Sequence, residues 1–131
     1  TPGDVVPHRS LEALAGPDRI AHDRGSGRYE VALQLTDPAR NPFISRVIVN
    51  RVWHHLFGRG LVASADNFGV LGEAPTHPEL LDHLAAEFVR DGWSLKRLIR
   101  RLALTEAYRQ GSTPDPKATE TDPANLLLSH F

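Results

Sequence analysis

The feature that most constrains this chain is an apolar run with punctuation at both ends, Asn41 to Phe68, NPFISRVIVNRVWHHLFGRGLVASADNF. Asn41 can cap a helix, and Pro42 fits its first turn, where a missing N–H costs nothing. Gly58 and Gly60 supply the backbone freedom that stops it. Between them Ile44, Ile48, Val52 and Leu56 recur every fourth residue, flanked by Phe43, Val47, Trp53 and Phe57. The spacing predicts a helix over 42–57 with a wide buried face. Its other face carries Arg46, Asn50, Arg51, His54 and His55.

The rest of the chain is read around this helix. Residues 1–27 are rich in Pro, Gly, Asp and Arg, with only Leu11, Leu14 and Ile20 available to pack, and read as an extended arm with one helical turn at Ser10 to Ala15. Tyr29, Val31, Ala32, Leu33 and Leu35 fit a short helix ended by Thr36, Asp37 and Pro38. After Gly60, LVASADNFGVLGEAP has no helical period, yet Leu61, Val62, Phe68 and Val70 call for burial, so this loop is expected to fold back over the core, with room for short paired strands. Thr76 and Glu79 have the spacing of a capping box. The helix it opens, 77–90, would bury Leu80, Leu81, Leu84, Ala85 and Phe88. Asp91-Gly92 ends it, Trp93 occupies a tight connection, and Ser94 caps a helix to Arg109 with Leu95, Leu98, Ile99, Leu102 and Leu104 inward. So short a connection makes the two helices neighbours. Ser112 to Asp122 reads as a polar surface linker, and Asp122-Pro123 as the start of a last turn. The reading is therefore all-α: an arm over 1–27, a helical domain over 28–111, and a linker with the start of a C-terminal helix over 112–131.

Composition excludes several classes. With 15 Lys+Arg against 16 Asp+Glu there is no global field to recruit nucleic acid or an anionic membrane. The absence of Cys excludes disulfides, thiolate metal sites and iron–sulfur clusters within this chain. No apolar run approaches the roughly 20 residues that cross a bilayer. With no Met, including at position 1, the chain is expected to be a processed product or an excised fragment.

Three polar constellations have the chemistry to do something. Arg46, Asn50 and His54 form one stripe of the central helix and Arg51 and His55 another; such a face can bind an anion or hold a proton-transfer histidine, or it can be a solvated face from which Asn50 and Arg51 tie down the following loop, Arg51 through an expected ion pair with Asp66. Asp66, Asn67, His77, Glu79, Asp82 and His83 are the densest set of oxygen and imidazole ligands. The two histidines are six apart, however, and fall on different helix faces. Arg51, His55, Asp66 and His77 are the candidate catalytic residues, and Asp66 and His77 the candidate ligands of a divalent metal. Asn50, Trp53, Thr76, Glu79 and Trp93 are read as structural. Finally, Lys96, Arg97, Arg100, Arg101 and Arg109 make the last long helix basic, so a helix-turn-helix must be weighed. Bulky Trp93 in the turn and Glu79, Asp82, Glu87 and Asp91 on the preceding helix count against it. There is no G-x-S-x-G elbow, phosphate loop or H-E-x-x-H.

The pattern Asn50-Arg51, Trp53, His55-Leu56-Phe57-Gly58, Asp66 to Gly69, His77 to Asp82, Gly92-Trp93-Ser94 with Lys96, and Tyr108-Arg109 closely resembles a domain of unknown function abundant in planctomycetes. In that family it lies C-terminal in large proteins that also carry a cytochrome-c-like domain and a second uncharacterised domain, and it continues past Phe131. Asn67 stands where the family usually has a second Asp, and His83 and Gln34 where it usually has Trp; the first weakens a metal at Asp66. The resemblance implies an extracytoplasmic setting beside a haem domain, with no cofactor assigned to this chain.

Three functional readings follow. The first is a non-catalytic interaction or scaffold module of a larger extracytoplasmic, cytochrome-c-associated protein. Its partners would be the parent's other domains, and a second copy through the apolar Leu126, Leu127, Leu128 and Phe131 if these do not cap the core. The second is a hydrolase, with or without a divalent metal, using Arg51, His55, Asp66 and His77. The third, nucleic-acid binding through the basic helix, is the one the charge balance disfavours.

Overall fold

The structure, a computed structural model, describes Gly3, Asp4, Val6, Pro7, Arg9, Leu11, Glu12, Ile20 and residues 25–131. The helical turn expected at Ser10 to Ala15 falls mostly outside them. Six helices follow among the described residues: α1 Arg28–Thr36, α2 Phe43–Phe57, α3 Pro78–Arg90, α4 Leu95–Ala103, α5 Glu106–Arg109 and α6 Pro116–Thr121. No strand forms among the described residues, so the chain is all-α, as expected. No described helix is long and apolar enough to cross a membrane. The chain divides into two compact units, Thr1–Ser45 and Arg46–Phe131.

In the first unit α1 closes on itself, with Thr36 Oγ1 donating to the Ala32 carbonyl at 2.8 Å. Asn41 then does more than cap. Its Oδ1 accepts from the Phe43 N–H at 3.0 Å while its Nδ2 donates to the Leu35 carbonyl at 3.1 Å. One buried amide thus serves the end of one helix and the start of the next, supplying partners that both termini lack.

The second unit is built on one core. α2 contributes Val49 and Trp53, α3 Leu81, Leu84, Ala85 and Phe88, α4 Leu98 and Leu102, and the loop after α2 adds Leu61 and Val62. Ile48, Val52 and Leu56 pack against this cluster only partly, so the centre of the buried face of α2 is the Val49–Trp53 line rather than the every-fourth-residue series. The stripe that reads as polar is not solvated either, because Asn50 is fully buried.

Asn50 explains why the loop enters the core. Its Nδ2 donates to the Val62 carbonyl at 3.0 Å and its Oδ1 accepts from the Val62 N–H at 2.9 Å. A side-chain amide thereby satisfies both backbone groups of a buried residue, as a neighbouring strand would, and no strand is needed. The contact is so close that a Cβ on Gly60 would lie 2.4 Å from the Val62 carbonyl oxygen and 2.8 Å from Asn50 Nδ2. From the other side, Thr76 holds Leu61: its N–H and its hydroxyl both donate to the Leu61 carbonyl, at 2.8 and 3.2 Å.

That role of Thr76 is why the expected capping box does not form. His77, not Thr76, occupies the cap position of α3, no side chain caps its N–H groups, and Pro78 follows at the first helical turn. At its other end α3 closes through the Trp93 N–H, which donates to the Phe88 carbonyl at 2.9 Å. Trp93 itself is left-handed, with φ 60°. Its ring meets Phe88 edge-on at 5.3 Å, and this packing offsets the backbone strain.

Ser94 caps α4 as expected, accepting from the Arg97 N–H. The helix expected to reach Arg109 is broken instead. Thr105 Oγ1 donates to the Leu102 carbonyl at 2.7 Å and accepts from the Tyr108 N–H at 3.3 Å, ending one helix and opening the next. The shortened α4 buries a single stripe, Leu98 and Leu102, and leaves Leu95, Ile99 and Leu104 exposed. The stretch read as a linker contains α6, capped by Asp115, whose side chain accepts from the Lys117 N–H. Beyond it the Asp122 carboxylate accepts from the Leu126 and Leu127 N–H groups, at 2.9 and 2.6 Å, and residues 123–131 form turns rather than the start of a helix. Those two bonds also hold the Asp122 carboxyl below the usual carboxylate range. Leu128 packs on the core, and Phe131 closes a ring cluster, 4.9 Å from Tyr108 and 6.1 Å from Phe57.

Asn50→Ala strands two buried backbone groups at once, so it is expected to lower stability by roughly 2 to 5 kcal/mol in urea unfolding. Gly60→Ala, whose added methyl meets backbone that cannot move aside, is expected to lose at least about 1 kcal/mol in the same measurement.

Candidate functional site

Arg51 and Asp66 meet, as the helix-to-loop geometry leads one to expect: Arg51 Nη2 lies 2.9 Å from Asp66 Oδ1. The pair is a surface one, with 58% and 92% of the two side chains exposed. His55 is also exposed, its ring edge-on to His54 at 5.7 Å. His77 is elsewhere. Its Nδ1 is 3.0 Å from Thr76 Oγ1, and the residue lines a pocket that takes in neither Arg51, His55 nor Asp66. No three His, Cys, Asp or Glu side chains gather in a metal-holding group among the described residues.

The pocket that does take in His77 has a volume of about 180 Å³. Trp53, Phe57 and Leu61 form part of it, with Leu126 and Leu128 from the C-terminal turns as another wall. The Trp53 and Phe57 rings stack at 4.1 Å. Arg59 and His77 are the titratable residues that line it, and no carboxylate does. Such a site offers apolar surface for a hydrocarbon body beside the Arg59 guanidinium, which lies within electrostatic range of the Asp122 carboxylate. Arg59 and the 124–128 wall escape sequence reasoning, since nothing in their spacing says that residues more than 60 positions apart will meet.

The basic face of α4 is tied to α3. Arg101 bonds to both Glu87 and Asp91, the second contact at 3.0 Å, and Arg97 stands 3.7 Å from Asp91. Arg90 adds a further contact to Glu87 within α3. The Arg101 hydrogen bond holds the Glu87 carboxyl below its ordinary range, against a smaller opposing push from burial, and raises Arg101 in turn. Arg46 does the same for Asp82 at 2.6 Å, a contact from α2 to α3. Glu79, expected to cap, makes no capping bond.

Fold and site together define a small all-α domain in which most candidate polar groups tie one element to the next. Residues 27–131 match the family PSD1, described as a protein of unknown function (DUF1553), and the chain belongs to that family. No curated protein and no solved structure matches it.

Because the Arg51–Asp66 pair is exposed, Arg51→Met and Asp66→Asn are each expected to change unfolding free energy by less than about 1 kcal/mol, with weak coupling in a double-mutant cycle. Glu87 has the opposite signature, in pH. Its folded carboxyl sits below the ordinary value of about 4.3, so the unfolded chain binds the proton more readily and the contact's contribution is complete above that pH. It is lost as pH falls through the folded value. Thermal unfolding followed down an acid series should therefore show a steeper decline in the parent chain than in Glu87→Gln.

Proposed function

We propose that this domain is a non-catalytic interaction module. The observation that carries this reading is the separation of the four candidate catalytic residues: Arg51 and Asp66 neutralise each other in solvent, His55 stands apart, and His77 lines an apolar pocket with Arg59 and no carboxylate. Hydrolysis needs an acid or base held within hydrogen-bonding reach of one reacting centre, and these groups offer no common centre. The setting proposed is a larger extracytoplasmic protein carrying a cytochrome-c-like domain, with the parent's other domains as partners; the resemblance of the motifs supports it. Nucleic acid is not among the proposed partners, since Arg97 and Arg101 already face Glu87 and Asp91.

A panel of chromogenic esters, phosphate esters and glycosides, incubated with the chain alone and with added magnesium, manganese or zinc, should release product at the background rate. Turnover above background that disappears in both Asp66→Asn and His77→Gln would overturn the reading in favour of a hydrolase.

A further inference from the structure

The loop between α2 and α3 holds two large aliphatic side chains out in water at the tip of a tight turn. The Gly72 N–H donates to the Gly69 carbonyl at 2.9 Å, closing a β-turn whose two corners are Val70 and Leu71. Turn corners ordinarily go to Gly, Pro, Asn, Asp or Ser, which supply the backbone angles or the local hydrogen bonds that a turn needs. Here Val70 is 104% and Leu71 92% exposed relative to a free residue.

The turn is built to stay as it is. Ser64 Oγ donates to the Asn67 carbonyl at 2.9 Å and accepts from the Glu73 N–H at 2.8 Å, tying the two sides of the loop together. Asn67 Oδ1 accepts from the Gly69 N–H at 3.1 Å. The chain crosses itself so closely that a Cβ on Gly72 would lie 2.1 Å from the Asn67 carbonyl oxygen. A turn held this way loses little conformational freedom on docking, and its apolar tip gains by leaving water.

The same unit carries a receptor of matching chemistry. At about 180 Å³ the pocket beside Trp53 and Phe57 is smaller than the roughly 300 to 1,000 Å³ of small-molecule sites, which suits it to aliphatic side chains. Its charged lining residue is Arg59, whereas the exposed acid next to the turn is Glu73. The loop's own ends, Leu61 and Thr76, both line the pocket. Within one copy the tip does not enter, since Val70 and Leu71 remain in solvent. The plug is thus the tip of the loop whose ends form one side of the socket, an arrangement in which two copies can exchange tips reciprocally and close as a two-fold pair instead of growing into a chain.

We infer that the domain recognises a second copy of itself, each copy's Val70–Leu71 turn entering the other's Trp53–Phe57 pocket with Glu73 facing Arg59. This rests on the reading of the domain as an interaction module and names its partner. The contact is small beside the roughly 1,200 Å² and more of stable complexes, so the pairing is expected to be weak and transient.

Sedimentation equilibrium of the whole chain from about 10 μM to about 1 mM tests this, over a range set to bracket so small an interface. A monomer–dimer equilibrium is expected. Val70→Ser with Leu71→Ser should weaken it at least tenfold while leaving the thermal midpoint unchanged, because those side chains are not buried in the monomer. Glu73→Arg and Arg59→Glu should each self-associate poorly, yet pair when mixed, since each supplies the charge the other lacks. A chain monomeric through the whole range, or a dimer indifferent to the double serine substitution or to the charge exchange, overturns self-recognition. The turnover assay above is independent of this result, so failure here and failure of the non-catalytic reading can be told apart.

Discussion

Asn50 carries no charge and touches no solvent, yet its amide makes the two hydrogen bonds with Val62 that a neighbouring strand would otherwise have to make. A loop entering an apolar core brings an N–H and a C=O with every residue, and each must find a partner or be left desolvated. With those groups satisfied from α2, Leu61 and Val62 can be buried beside Trp53 and the apolar stripe of α3. Gly60 is the steric condition for this, and Thr76 is its counterpart on the other side of the loop. Core, loop path and the position of α3 thus depend on one side chain.

The charged residues follow a similar logic at the surface. Arg46 reaches from α2 to Asp82 on α3, and Arg101 from α4 to Glu87 and Asp91 on α3, so α3 is tied electrostatically to both helices with which it shares the core. Each contact is modest where solvent screens it. Their effect is geometric as much as energetic, because two arginines approaching α3 restrict how it can rotate about its own axis. Apolar surface stands beside these ties: the Val70–Leu71 tip, the pocket by Trp53, Leu95 and Ile99 on α4, and Leu104 at its end.

Much of the fold was legible in the residues. The ends of α2 and the close of α3 followed from Asn41, Pro42, Gly58 and Gly92, since turn and cap chemistry is local and acts within a few positions. The start of α3 lies where Thr76 and Glu79 placed it, although their capping box does not form. Ser94 as the cap of α4 and Arg51 as the partner of Asp66 were equally accessible, the second because the loop is too short to go far. Thr105 was a missed signal of the same local kind: a Thr followed by Glu can open a new helix inside an apparently continuous periodic run. Periodicity runs straight over such a break, which is why Leu104 reads as inward although it lies outside.

The sequence by itself therefore determined the helical class, most element boundaries and the residues able to bond to backbone, because these depend on side-chain chemistry acting over one or two turns. Only the tertiary structure decided which of several competent groups each residue would use. Thr76 could have capped α3 and instead holds Leu61; Asn50 could have faced water and instead is the most enclosed polar residue of the unit. The pocket and its Arg59 likewise exist only because the C-terminal turns come to rest beside α2. A hydrogen-bonding group chooses among partners by proximity and desolvation, and both are properties of the folded arrangement rather than of the order of residues along the chain.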